Sequence, residues 1–113
     1  MGSQAQERVE IPPGTLYMLV LKTLARLGPM HGYGIAQHIQ QTSEILQVEE
    51  GSLYPALQRM LIKGWVTAEW GQSDNNRRAR YYRLTPLGRK QLSAEISEFE
   101  RVMEAIARVI QPA

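Results

Sequence analysis

Four side chains between positions 52 and 59 carry groups that can read the edges of nucleic-acid bases: the hydroxyl of Ser52, the phenol of Tyr54, the amide of Gln58 and the guanidinium of Arg59. An arginine fork matches guanine O6 and N7, a glutamine matches adenine N6 and N7, and hydroxyls suit either, so the set fits what a DNA major groove displays. A second cluster follows at Arg77-Arg78-Ala79-Arg80, three guanidiniums in four residues beside Asn75, which is chemistry for phosphate oxygens. Other chemistries find no support. The absence of cysteine removes disulfides, thiolate metal sites and a thiol nucleophile. His31 and His38 lie seven positions apart with no third ligand at a useful spacing, so no metal is expected. Neither a nucleophile-base pair nor a phosphate-cradling glycine loop is present. The chain is expected to bind rather than catalyse, without a cofactor.

These side chains need elements to present them. Leu53, Leu57, Met60 and Leu61 recur at helical spacing and form one apolar stripe, while Pro55, Gln58 and Arg59 point away from it, flanked by Ser52 and Lys63. An ordinary amphipathic surface helix would share this pattern, so the neighbouring segments decide its meaning. Two starts compete. With Ser52 as N-cap, Pro55 falls in the first turn, where its missing N–H costs nothing; with Glu49 as cap, Pro55 falls in the second turn and loosens it. Gly64 ends the helix, and Lys63 suits the negative end of its dipole.

Upstream, residues 1–11 read as a flexible polar tail, with Ile11-Pro12-Pro13-Gly14 bracing the chain before a helix that starts near Thr15. Leu16, Tyr17, Leu19, Val20, Leu21, Leu24 and Leu27 are too many for one narrow stripe, so this helix is expected to be covered on more than one side until Gly28-Pro29 stops it. His31-Gly32-Tyr33-Gly34 opens a second, short helix with Ile35, Ala36 and Ile39 buried and Gln37, Gln40 and Gln41 in water. Its two early glycines suggest a close backbone approach. Tyr33 is placed to reach a phosphate or to anchor the helix as a half-buried aromatic.

Downstream the period falls to two. Val66, Ala68 and Trp70 alternate with Trp65, Thr67 and Glu69 over Trp65 to Trp70, and residues 80–84 read as the antiparallel return, joined by a polar stretch over 71–78. Thr85-Pro86 then starts the longest helix, threonine capping and proline in the first turn. Leu92, Ile96, Phe99, Met103, Ile106 and Ile110 are spaced 4, 3, 4, 3, 4, a heptad seam widened by Val102 and Val109. So apolar a helix in so small a domain needs a partner, either the first helix of its own chain or a second copy.

Charge follows the same division. The net charge is +2 for 113 residues, distributed as 0 over 1–48, +4 over 49–92 and −2 over 93–113. The basic middle suits phosphate, and the acidic end suits some other contact. The longest apolar run, Leu16 to Leu21, stops at Lys22, short of a membrane span, and no secretory signal is evident, so a cytoplasmic protein is expected.

The order of elements, with Gly14-Thr15-Leu16, His31-Gly32-Tyr33, Gly51-Ser52-Leu53-Tyr54-Pro55-Ala56-Leu57, Gly64-Trp65-Val66, residues 78–84, Thr85 and Gly88, resembles the PadR family of bacterial transcriptional regulators across residues 12–110. The resemblance implies a mainly α fold with a small β-hairpin, a winged helix-turn-helix over 12–84 and a dimerisation helix over 85–111 of the compact subfamily. It implies a homodimeric repressor of double-stranded DNA bound at a pseudo-palindromic operator. The expected DNA contacts are Tyr33, Ser52, Tyr54, Pro55, Gln58, Arg59, Lys63, Asn75, Arg77, Arg78 and Arg80. Leu16, Leu19, Val20, Leu92, Ile96, Phe99, Val102, Met103, Ile106 and Ile110 are the expected dimer interface. A small hydrophobic or aromatic effector would sit at Phe99, where the family often has a tryptophan, and at Met103. Glu49 replaces a frequent serine or threonine, and with Glu50 it puts two carboxylates where phosphate should approach. The alternative is a winged-helix module that uses the 49–64 helix to contact protein, with DNA irrelevant.

Overall fold

The computed structural model describes residues 7–12 and 14–112. Its elements are β1 (Val9–Glu10), α1 (Leu16–Leu27), β2 (Met30–His31), α2 (Gly32–Thr42), β3 (Leu46–Gln47), α3 (Glu50–Ile62), β4 (Val66–Gln72), β5 (Arg78–Leu84) and α4 (Pro86–Ile110). The mainly helical winged architecture expected from the sequence is present, and no described helix is long and apolar enough to cross a membrane.

The core gathers one face from each of the four helices and from the two long strands. Val20, Leu21 and Leu24 of α1, Ile35 and Ile39 of α2, Leu53, Leu57 and Met60 of α3, Val66 of β4, Tyr82 of β5 and Leu92 of α4 form a single buried cluster. Val20 and Leu92, both expected at the dimer interface, are buried within the protomer, because α1 needs one face for its own core and α4 docks its first turns on the same cluster. Leu61, expected in the α3 stripe, is only half-buried, and the small Ala56 takes a fully buried position instead.

Residues 1–6 of the expected tail, and Pro13 of the expected brace, lie outside the described residues. Where the tail is described, Val9–Glu10 is not tail but a strand paired in parallel with Leu46–Gln47. Arg8 explains the docking: its Nη1 donates to the carbonyls of Leu46 at 2.7 Å, Gln40 at 3.3 Å and Ser43 at 3.4 Å, placing a cation at the negative end of α2. Gln40, expected in water, is likewise engaged, its Oε1 accepting from the Val48 N–H at 2.8 Å. Both contacts tie down the linker that leads into α3.

The wing is larger than the sequence suggested. β4 and β5 pair antiparallel from Val66 opposite Leu84 to Gln72 opposite Arg78, leaving only residues 73–77 as the turn. Asn76 adopts a left-handed φ of 62°, and the Ser73 N–H donates to the Arg77 carbonyl at 2.8 Å, so the chain reverses tightly. Met30–His31 adds a third strand on the far side of β5. Trp65, expected in the strand, lies just before it.

The α3–β4–α4 junction is fixed by two glycines. Gly64, at φ 78°, ends α3, with its N–H on the Leu61 carbonyl and the Trp65 N–H on that of Met60. Thr85 caps α4 by accepting from the Gly88 N–H at 3.0 Å, while its hydroxyl donates towards the carbonyls of Gly64 and Trp65. At Gly88 a Cβ would lie 2.1 Å from the Trp65 carbonyl oxygen, so only glycine lets α4 pack this close.

Candidate nucleic-acid interface

Of the two possible starts for α3, the chain takes Glu49. Its φ of −92° and ψ of 131° place it as N-cap, although its side chain makes no capping hydrogen bond. Pro55 therefore lies in the second turn, leaving the Gly51 carbonyl without its helical donor. The buried face is Leu53, Ala56, Leu57 and Met60, which turns Ser52, Pro55, Gln58, Arg59 and Lys63 outward, each of them exposed. The carboxylates of Glu49 and Glu50 stand at the positive end of the helix dipole, where they are stabilising for the fold.

The expected readers do not share one environment. Tyr54 leans across the start of α2, where a Cβ on Gly32 would come within 2.6 Å of its ring. That contact answers what the early glycine of α2 approaches: another element of the same chain. Partial burial, then the nearby Glu50 carboxylate, then Tyr82 push the Tyr54 phenol above its ordinary pKa, so it remains a hydroxyl donor across the whole neutral range. Arg59 leans the opposite way. Its Nε–H donates to the hydroxyl of Tyr17 in the first turn of α1, and its guanidinium carbon lies 5.7 Å from that ring's centre. Lys63 places its ammonium 5.3 Å from the centre of the Trp65 ring.

The wing stands beside α3. A groove of about 750 Å³ separates them, lined among others by Tyr33, Tyr54, Trp70, Asn75, Arg78 and Arg80. The three arginines divide their work. Arg77 is exposed at the turn, Arg78 stacks its guanidinium 4.7 Å from the Trp70 ring centre, and Arg80, directly across the ladder from Trp70, is half-buried. Tyr33 is 64% exposed at the start of α2, with its ring stacked against His31 at 6.5 Å. His31 caps α2 through Nδ1, which accepts from the Gly34 N–H at 2.9 Å.

Tyr33, Tyr54, Asn75, Arg77, Arg78 and Arg80 thus border one groove, and Ser52, Pro55 and Arg59 border a second recess of about 490 Å³ on the other flank of α3, which Tyr17 helps to line. Gln58 sits on the exposed face between them. Two participants were missed in the sequence. Trp70, 59% exposed, read only as a strand residue, although its alternation with Ala68 and its place opposite an arginine were a usable signal. Tyr17 looked like one more apolar position of α1, and nothing local marks its contact with Arg59. Among the described residues, no group of three His, Cys, Asp or Glu side chains is arranged to hold a metal.

The far end of the molecule is chemically different. Along α4, Phe99, Val102, Met103, Ile106, Val109 and Ile110 are all exposed, from 38% at Phe99 to 85% at Val109. Leu16, Leu19 and Ile96 are half-buried beside the core. The opposite face carries ion pairs from Arg101 to Glu98 at 2.9 Å and from Arg108 to Glu104 at 3.0 Å.

Comparison with known proteins agrees with this geometry. Residues 20–94 match the model of the transcriptional regulator PadR-like family. A transcriptional regulator of Mycobacterium tuberculosis is 33% identical over 81 residues, 72% of this chain and 69% of that protein. Among solved structures, a transcriptional regulator from Clostridium thermocellum superimposes with a TM-score of 0.78 at 28% identity, covering 87% of this chain and 95% of the other. A PadR family transcriptional regulator from Eggerthella lenta gives 0.76 at 25% identity, covering 88% and 85%.

Proposed function

Because the chain belongs to the PadR-like family of DNA-binding transcriptional regulators, we propose that it is a homodimeric repressor, binding a pseudo-palindromic operator with one α3 in each of two major grooves. In this reading Ser52, Gln58 and Arg59 address base edges, while Tyr33, Tyr54, Lys63 and the wing residues Asn75, Arg77, Arg78 and Arg80 grip the backbone. The observation that carries it is the setting of α3: Tyr54 borders one groove with the arginines of the wing, while Ser52 and Arg59 border a recess on the other flank of the same exposed helix. Base-reading groups beside phosphate-binding groups are what specific binding requires, since backbone contacts set register and base contacts set sequence.

The dimer would form through the exposed seam of α4 with the half-buried Leu16 and Leu19 of α1, a self-complementary apolar surface at the end of lowest positive charge. Two recognition helices would then sit about one helical turn, ~34 Å, apart. A flat hydrophobic effector would seat against Phe99 and Met103 between the paired helices and relieve repression by changing that spacing.

The test begins with a duplex selected from a random library by the wild-type protein, compared with a scrambled duplex of the same composition. Arg59→Ala is expected to lose ~1–3 kcal/mol on the selected duplex and to relax preference at one base position. Arg77→Ala is expected to weaken both duplexes equally and to reduce the salt slope by about 1. Equal losses on both duplexes from both variants would refute the assignment. Binding insensitive to salt would favour docking of α3 on a protein.

A further inference from the structure

Arg59 is held from one side before any DNA arrives. Its Nε–H is committed to the Tyr17 hydroxyl, and the guanidinium carbon lies 5.7 Å from the Tyr17 ring centre. Tyr17 in turn meets Trp65 edge-on, with ring centroids 5.5 Å apart and planes at 83°. Trp65 is anchored by the backbone: its N–H donates to the Met60 carbonyl at 3.0 Å, and its own carbonyl accepts from the Thr85 N–H at 3.1 Å. Lys63 completes the row from the other end, its ammonium 5.3 Å from the Trp65 ring centre. Two aromatic rings thus lie between two cations, linking the end of α3 to the first turn of α1, and the row rests on the α3–β4–α4 junction.

An arginine on an open helix face samples many rotamers and must give them up when it docks on a base. Anchoring Nε removes part of that cost in advance. It also leaves both Nη groups without a partner among the described residues, and their outer edge is one that can pair with guanine O6 and N7. We infer that Tyr17, outside the recognition helix, is a positioning residue that pre-orders Arg59 for base reading, so that α1 as well as α3 sets operator specificity. The inference rests on Arg59 being a base reader, as proposed above.

Tyr17→Phe keeps the ring against Trp65 and removes only the acceptor oxygen, so the thermal midpoint should stay near that of the wild type. On the selected duplex Tyr17→Phe is expected to bind about tenfold more weakly, the scale of one lost hydrogen bond to a charged group. On the scrambled duplex it should be unchanged, with both affinities normalised to the active fraction from stoichiometric titration. In an Arg59→Ala background the same substitution should add nothing, since the group it orders is gone.

The alternatives separate cleanly. If Arg59→Ala weakens both duplexes equally, Arg59 does not read a base and the inference falls with that assignment. If Arg59→Ala loses selectivity while Tyr17→Phe binds as the wild type does, the role of Tyr17 alone is overturned. It is also overturned if Tyr17→Phe weakens both duplexes alike, because Tyr17 then contacts phosphate directly, or if it binds the selected duplex more tightly, because the contact then holds Arg59 off the DNA.

Discussion

Tyr54 shows how a single side chain can be committed twice. Its ring fills the space left by the missing Cβ of Gly32, and its hydroxyl borders the groove between α3 and the wing. Gly32→Ala would therefore push the ring aside rather than disrupt the core, because the colliding atoms belong to the outer part of a half-exposed side chain. A stability loss of about 1 kcal/mol in urea titration is expected, at the lower end for a steric change, accompanied by weaker DNA binding as the phenol leaves the groove. The raised pKa of Tyr54 gives a second test. At high pH the unfolded chain releases this proton first, so the folded state holds more protons and stability falls as pH rises. The stability is intact below the ordinary tyrosine value of about 10 and is lost between there and the higher folded value. Unfolding midpoints for wild type and Tyr54→Phe should run parallel from neutral to about pH 9 and then diverge, with the wild type falling more steeply; parallel curves throughout would show that burial does not bear on this hydroxyl.

Among the elements, the close packing of α4 against the α3–β4 turn is the least forgiving contact. At Gly88 the obstacle is the backbone carbonyl of Trp65, which also accepts from Thr85 and cannot retreat without giving up that bond. Gly88→Ala is expected to cost about 3 kcal/mol, well above the typical loss for one added methyl group, and thermal unfolding would measure it. The sequence exposed much of this architecture. Thr85-Pro86 marked the start of α4, Gly64 the end of α3, and alternation marked β4, because caps and periodicity are local and survive without tertiary context. What it did not reveal depended on distant partners. β1 and β3 are two residues each, too short for any period, and are tied together where Arg8 reaches the carbonyls of Gln40 and Ser43 at the end of α2 and of Leu46 in β3. Gln40 looked like a solvent residue because its partner is an N–H of the following linker. The start of α3 was ambiguous because serine and glutamate can both cap, and the chain takes the earlier start despite Pro55. At the candidate interface the residue types were legible, yet the contact between Arg59 and Tyr17 spans two helices and has no local signature.

For the whole molecule, the decisive asymmetry is between a basic, polar end and a long apolar one. A helix of 25 residues extends about 37 Å, yet only its first turns reach the core, through Leu92 and Ile96. Beyond them six large apolar side chains from Phe99 to Ile110 stand exposed on the seam, while charged pairs occupy the outer face. Fully burying such a side chain contributes roughly 1.5–3 kcal/mol; with about half of each still exposed in the protomer and the set counted twice by symmetry, the term is on the order of 10–20 kcal/mol. That is of the same order as, or larger than, an association cost of about 4–15 kcal/mol. The exposed ion pairs, worth a few tenths of a kcal/mol each, do not compete with this term. Phe99→Glu combined with Met103→Glu would place four carboxylates in the paired seam and should convert the protein to monomers. Because both residues are exposed in the single chain, the protomer should remain folded, with an unchanged helical circular dichroism spectrum. Light scattering at micromolar concentration should report twice the chain mass for the wild type and the single chain mass for the variant. The wild-type thermal midpoint should also rise with protein concentration, as mass action requires, while that of the variant stays constant. A wild-type monomer, or a variant that still dimerises, would move the interface off α4 and remove the geometric basis for a two-fold operator. A monomeric variant that retains its affinity for a single half-site while losing the full operator would link the apolar end to recognition at the basic one.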